Sequence, residues 1–226
     1  MRITYSGRLI ACAALTSIVL MVLSISSAQA QARTIAVLPP LLPPTHIIDL
    51  MTAEGITAFG GQWKTMEARI VEGPALPKAL PSYKTSYEVQ PRAGERTFDD
   101  SAWPVIEGKD LAVPRGGGRT SFIWFRTNLT IPARLGTFDT SGATAVLRVW
   151  VDDYAEVWIN GELPRFAGRL SPGTIQGYNA VNRVLLSDGI KTGDTFQIAV
   201  FAINGPISAA PPNFLYVREA KIEFYK

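Results

Sequence analysis

From Thr97 to the C-terminus, apolar and polar residues alternate with a period of two, in short runs broken by Gly, Pro and Asn. "TSFIWFRTNLTI" sets Ile123, Phe125, Leu129 and Ile131 against Phe122, Trp124, Arg126 and Asn128. "TAVLRVWV" places Ala145, Leu147, Val149 and Val151 on one side, and "TFQIAVFAIN" and "REAKIEFY" repeat the pattern. Successive side chains of a strand point to opposite faces, so each run has one face to bury. Such strands, separated by turn residues, predict an all-β chain folded as an antiparallel sandwich or barrel.

The residues upstream read differently. "IIDLMTAEGITAF" has Ile47, Ile48, Leu50 and Met51 at helical spacing and ends at Gly60 and Gly61, which predicts a short helix. "QWKTMEARIVEG" reads as a first strand, and "PALPKALPSYKTSYEVQPRAGER" as a long surface excursion punctuated by Pro and Gly. Residues 31–46, with "LPPLLPPTH", read as a Pro-rich linker. The expected layout is a leader at 1–30, this linker, a helix and strand extension at 47–96 packing on the sandwich, and the sandwich itself at 97–226.

The leader is expected from a basic start, "MRITYSGR", an apolar run and the small-x-small step Ala28-Gln29-Ala30, the layout of a cleaved secretory signal peptide. No later segment approaches the roughly 18 apolar residues of a spanning helix. The protein is therefore expected in the periplasm or secreted. Cleavage would remove the only cysteine, Cys12, and with it any disulfide or thiolate chemistry. Arg2 and Arg8 would leave too, taking Lys and Arg from 22 to 20 against 19 acidic residues. So balanced a charge offers no footprint for nucleic acid. The one histidine, His46, sits beside the Pro-rich run and reads as a flank residue, so Ser-His-Asp and multi-histidine zinc chemistry have no basis.

The segment "VDDYAEVWINGELP" concentrates polar and aromatic groups. Asn160 and Gly161 form the strongest short hairpin signal, because both central residues of a type I′ turn need positive φ. Asp152 and Asp153 read as turn residues at the preceding strand junction, as do Asp99 and Asp100 in "FDDSAW". Adjacent turn aspartates are expected to diverge and stay hydrated. A glycosidase instead needs two carboxyls flanking one bond, one of them desolvated. No catalytic residue is assigned. Nor is a metal ligand: a structural calcium would suit a sandwich, but no loop has the ligand density of a calcium motif.

The order of motifs "FDDSAWPVI", "GRTSFIWFRTNLTIP", "VDDYAEVWING", "GYNAVNRVLL" and "KTGDTFQIAVFAING" resembles the galactose-binding-like jelly roll. In particular it is similar to the sugar-binding domain of glycoside hydrolase family 2. Together with "LMTAEGITAFGGQWK", the layout also resembles the N-terminal region of exported gluconolactonase-like proteins of the senescence-marker-protein family. The resemblance implies a β-sandwich concerned with carbohydrate and a catalytic propeller lying outside these residues. No position here inherits a catalytic role from it.

Alternation leaves Tyr154, Glu156, Trp158 and Asn160 opposite the core residues Val157 and Ile159, and Trp124 and Arg126 opposite Ile123 and Phe125. Sugars stack their C–H faces on aromatic rings while amides and carboxylates take the hydroxyls, so this set would make a sugar platform. Covered by residues 47–96, the same rings would be a minor core. Loops gathered at a sandwich end supply Tyr178 and Asn179 as further polar candidates. Two functions remain open, and behind them a third, part of a gluconolactonase-like hydrolase whose catalytic propeller is missing from this chain. One is a non-catalytic carbohydrate-binding module accessory to a sugar or sugar-lactone hydrolase. The other is a structural or protein-docking sandwich with no glycan.

Overall fold

The computed structural model describes residues 43–73, 86–117, 120–163, 179–205 and 214–226. The expected leader, most of the Pro-rich linker, and Tyr178 lie outside these residues. In chain order the elements are β1 (His46–Asp49), α1 (Ala53–Ala58), β2 (Trp63–Gly73), β3 (Ser86–Gln90), β4 (Val105–Ile106) and a 3₁₀ turn (Gly108–Ala112). There follow β5 (Ser121–Thr130), β6 (Arg134–Leu135), β7 (Phe138–Asp139), β8 (Thr144–Asp152), β9 (Tyr154–Ile159), β10 (Val181–Ser187), β11 (Thr195–Asn204) and β12 (Tyr216–Tyr225).

The long strands form two antiparallel sheets packed as a β-sandwich. One has the order β1-β12-β8-β10; the other has β3-β2-β5-β11-β9, with β4 added on β2. The core between them is built from the alternation read above. Ala145, Leu147, Val149 and Val151 of β8 and Ile222 and Phe224 of β12 meet Ile123, Phe125 and Leu129 of β5 and Ile198 and Val200 of β11. Each is almost fully removed from water, the condition under which burial contributes about 1.5–3 kcal/mol per large side chain. The outer face of the four-stranded sheet carries ion pairs instead, among them Arg148 with Glu219 at 2.9 Å and Arg183 with Glu223 at 2.7 Å.

Two expectations about the chain's path are corrected. The helix expected over "IIDLMTAEGITAF" occupies only its second half. His46–Asp49 is a strand, pairing in register with Phe224 to Lys221 of β12, and Thr45 N–H donates to the Phe224 carbonyl at 2.7 Å. The free edge of β12 satisfies these backbone groups, and local helical spacing does not outweigh that. Thr52 then starts α1, its hydroxyl accepting from the Gly55 N–H at 3.0 Å.

The second correction concerns Asp152 and Asp153. They do not turn a hairpin: β8 belongs to the four-stranded sheet and β9 to the six-stranded one, so the chain changes sheets there. Neither is a hydrated turn residue. Asp153 is 1% exposed and Asp152 9%, the latter paired with Arg218 of β12 at 2.7 Å. Asn160 and Gly161 do form the expected turn, with φ of 52° and 85° and an antiparallel bridge between Ile159 and Glu162. Among the described residues, no helix is long and apolar enough to cross a membrane.

Candidate functional site: an aromatic cleft beside Glu156

The outer face of the six-stranded sheet carries the candidate site, and strand register sets its layout. Glu156 on β9 lies opposite Phe201 on β11, which lies opposite Trp124 on β5, itself opposite Met66 on β2. The neighbouring row runs Trp158, Ala199, Arg126, Lys64. The face expected from sequence for Trp124, Arg126, Glu156 and Trp158 is therefore one continuous surface.

Much of that surface is covered. Residues 91–103 lie across it, and Ala93 and Trp103 of that stretch form a second, smaller core with Trp124, Ala199 and Phe201 of the sheet. Ala199 is small, so the row between Trp158 and Arg126 is low, and Ala93 and Gly94 come down there. A Cβ on Gly94 would lie 2.7 Å from the Trp158 indole, so the loop backbone rests directly on the ring. The Trp124 indole N–H donates to the Pro91 carbonyl at 2.9 Å.

The motif "FDDSAW" fastens this cover. Asp100 accepts from Arg126 Nε at 2.8 Å and from Lys64 Nζ at 2.8 Å, bridging β5 and β2. Arg126, 2% exposed, donates further to the carbonyls of Ala93 and Phe98 and lies 5.3 Å over the Phe98 ring. Phe98 packs edge-on to Trp103 at 5.3 Å. Burial works against ionising Asp100, but its bonds to Lys64 and Arg126 outweigh that and hold the carboxyl below its ordinary value. Asp99 caps the turn by accepting from the Ser101 N–H at 2.9 Å. Its sequence neighbour Asp100 is thus a latch, and Arg126 is committed to the cover.

One part of the face stays open. A cleft of about 250 Å³ is lined by Trp124, Phe201 and Trp158, by Glu156, and by Glu88, Val89, Arg92, Gly94 and Glu95. The Trp124 and Phe201 rings stand 4.7 Å apart, tilted by 37°. Glu156 is half-buried, and its Oε2 accepts from the Trp158 indole N–H at 3.2 Å. Burial pushes the Glu156 carboxyl up, opposed only by that hydrogen bond. Glu88 and Arg92 are ion-paired at the rim. A larger groove of about 570 Å³ runs between α1 and β4, lined by Gly60, Gly61, Gln62 and Lys64, without a facing pair of rings.

The remaining predicted residues serve elsewhere. Asn160 uses its side-chain oxygen to accept from the Gln197 N–H at 2.9 Å, fixing the turn to β11. Tyr154, half-buried, sits opposite Ile203 beyond the cleft. Asn179 has φ of 51° and donates its backbone N–H to the Asp153 carbonyl at 2.9 Å. His46 stacks on Phe138 at 4.9 Å. Among the described residues, no three His, Cys, Asp or Glu side chains are grouped to hold a metal ion.

No family model matches the chain, and no curated protein does. Among solved structures, it is similar to a β-glucuronidase of Bacteroides uniformis, at 16% identity and a TM-score of 0.44, covering 79% of this chain and 18% of that one. It is similar to a glycosyl hydrolase family 2 member from Bacteroides cellulosilyticus at 15% identity and a TM-score of 0.42, covering 72% and 20%. A β-glucuronidase of Faecalibacterium prausnitzii is 13% identical with a TM-score of 0.33, covering 83% and 32%. The chain spans no more than about a third of the length of these three enzymes.

Proposed function

We propose that this chain is a non-catalytic carbohydrate-binding β-sandwich that holds one sugar ring in the cleft beside Glu156. The observation that carries this reading is the meeting of Trp124, Trp158 and Phe201 with one half-buried carboxyl in a cleft of about 250 Å³. Ring faces take the apolar C–H side of a pyranose, and the carboxyl and the rim charges take hydroxyls. The cleft lies below the usual size of a drug-sized site, which suits a single ring rather than an extended chain. The domain would be exported by cleavage near Ala30 and would act as an accessory to a sugar or sugar-lactone hydrolase, as the motif order implies. Titration of the protein with methyl pyranosides, followed by tryptophan fluorescence and calorimetry, tests the reading. Saturable binding that weakens in Trp158→Ala supports it; no saturation with any pyranoside ends it. Intact mass of protein from the envelope fraction tests export, and retention of Met1 to Ala30 would overturn it.

The extent of the cover favours a second reading. Trp124 and Arg126 are buried under residues 91–103. A sandwich that uses its aromatic face for folding would serve as a structural or protein-docking module, and it would bind no pyranoside.

A further inference from the structure

The polar groups around the cleft narrow the class of ligand, an inference that rests on the sugar-binding reading. Glu156 stands on the sheet opposite Phe201 and next to Trp158 on its own strand, and the Trp158 indole N–H is its one hydrogen-bond donor among the described residues. A carboxyl kept in apolar surroundings with acceptor capacity unanswered is costly. Across the cleft, the loop contributes Glu88, Glu95 and one cation, Arg92. Arg92 is paired with Glu88 through one guanidinium nitrogen, so Glu88, Glu95 and Glu156 line the cleft against this single cation. The walls are π systems, which attract cations. Aromatic walls and an excess of carboxyls over cations call for a positively charged group that carries N–H donors.

We propose that the cleft selects an amino sugar, a pyranose bearing a protonated amine, over neutral hexoses, and that it rejects uronates. The C–H face of the ring lies on the half-buried Trp158 indole, and the ammonium donates to Glu156. A uronate would bring a further carboxylate to a cleft that already sets Glu88, Glu95 and Glu156 against Arg92. An N-acetylated amino sugar keeps the ring but loses the charge, so it falls with the neutral sugars.

The test is calorimetric titration of the full chain at neutral pH with the methyl glycosides of glucosamine, N-acetylglucosamine, glucose and glucuronic acid. Ethanolamine serves as an amine without a ring. The expected result is binding of the glucosaminide about tenfold tighter than the glucoside, with no saturation by the glucuronide. Glu156→Gln should weaken the glucosaminide far more than the glucoside, bringing the two to about the same affinity. Its fold is checked by its melting curve. Gly94→Ala, which puts a methyl against Trp158, should weaken all sugars together. Equal affinity for glucosaminide and glucoside, or a tighter glucuronide, overturns charge selection and leaves the sugar-binding reading standing. Binding of ethanolamine as tight as the glucosaminide overturns the sugar and keeps the charge. Silence with every probe overturns both.

Discussion

Asp100 and Glu156 approach the same face of the same sheet, and their environments push them in opposite directions. Burial acts on both and favours the neutral acid. At Asp100, Lys64 and Arg126 reverse it and hold the carboxyl low. At Glu156, the Trp158 indole N–H is too weak an opponent, and the carboxyl is pushed up. The chain supplies the counter-charge at one end of the face and closes it; at the other it supplies rings and leaves a cleft. On the proposed reading, this contrast divides one aromatic surface between folding and recognition. Where the buried charge is neutralised from within, the surface is core; where it is not, the face is left open as a cleft.

The largest effect should come from breaking the latch. Arg126→Met removes the guanidinium that ties Asp100, Ala93 and Phe98 to β5, leaving a half-paired carboxylate under the cover. Loss of one partner of a buried ion pair costs about 3–5 kcal/mol, and denaturant unfolding should show it. A loss below about 1 kcal/mol would mean that the cover is not held this way.

Asp100→Ala should cost somewhat less, roughly 2–3 kcal/mol at neutral pH, because charge-assisted hydrogen bonds are lost but Arg126 keeps two carbonyls. Its pH dependence has a definite sign. A carboxyl whose folded value is lowered contributes stability that is fully present above its unfolded value, near 4, and is lost as pH falls through the folded value. Wild type should therefore lose its advantage over Asp100→Ala on going below about pH 4. An advantage that persists unchanged into strong acid would assign the stabilisation to packing.

Trp158→Ala comes next. The indole is half-buried, with Gly94 on one side and Glu156 at its edge. The loss should be about 2 kcal/mol, below the 3–5 kcal/mol of a fully buried tryptophan. Val157→Ala, on the core side of the same strand, should destabilise by a similar amount without touching ligand binding. A Trp158→Ala protein that melts like wild type but binds no sugar would sharpen the division of the face; one that loses the fold would erase it.

What sequence reading reaches here is set by how local the cause is. The inward set Ala145, Leu147, Val149 and Val151 and the turn at Asn160 and Gly161 depend on neighbours a few residues away, and both are readable. So is the shared face of Trp124, Arg126, Glu156 and Trp158, because period two assigns sides. Phe201 could have been added to it by the same alternation in "TFQIAVFAIN". The strand at His46–Asp49 depends on the edge of β12, 175 or so positions away in the chain, and local spacing pointed to helix instead. Asp152 is settled by Arg218, and Trp158 by the backbone at Gly94. Val89, Arg92, Gly94 and Glu95 reach the cleft from a Pro- and Gly-punctuated stretch whose periodicity carries no message about where it lands.

The smallest effect belongs to Glu156→Gln, and its sign is the most informative. A carboxyl whose folded value is raised penalises the folded state once ionised: stability is greatest below the unfolded value and falls as pH rises through the folded one. The stability of wild type relative to Glu156→Gln should thus rise on going from neutral to mildly acidic pH. At neutral pH the amide keeps an acceptor for the Trp158 N–H while removing the desolvated charge. It should leave the protein unchanged or up to about 1 kcal/mol more stable. The charged groups facing the cleft, Glu88, Arg92 and Glu95, are unaltered in both proteins, so the difference between the two pH profiles isolates Glu156. The substitution that relieves the fold is then the one that abolishes selection for an ammonium group, as expected of a charge retained for a ligand. A neutral-pH loss of 2 kcal/mol or more for Glu156→Gln would instead make Glu156 a second latch, and the two ends of the face would no longer differ.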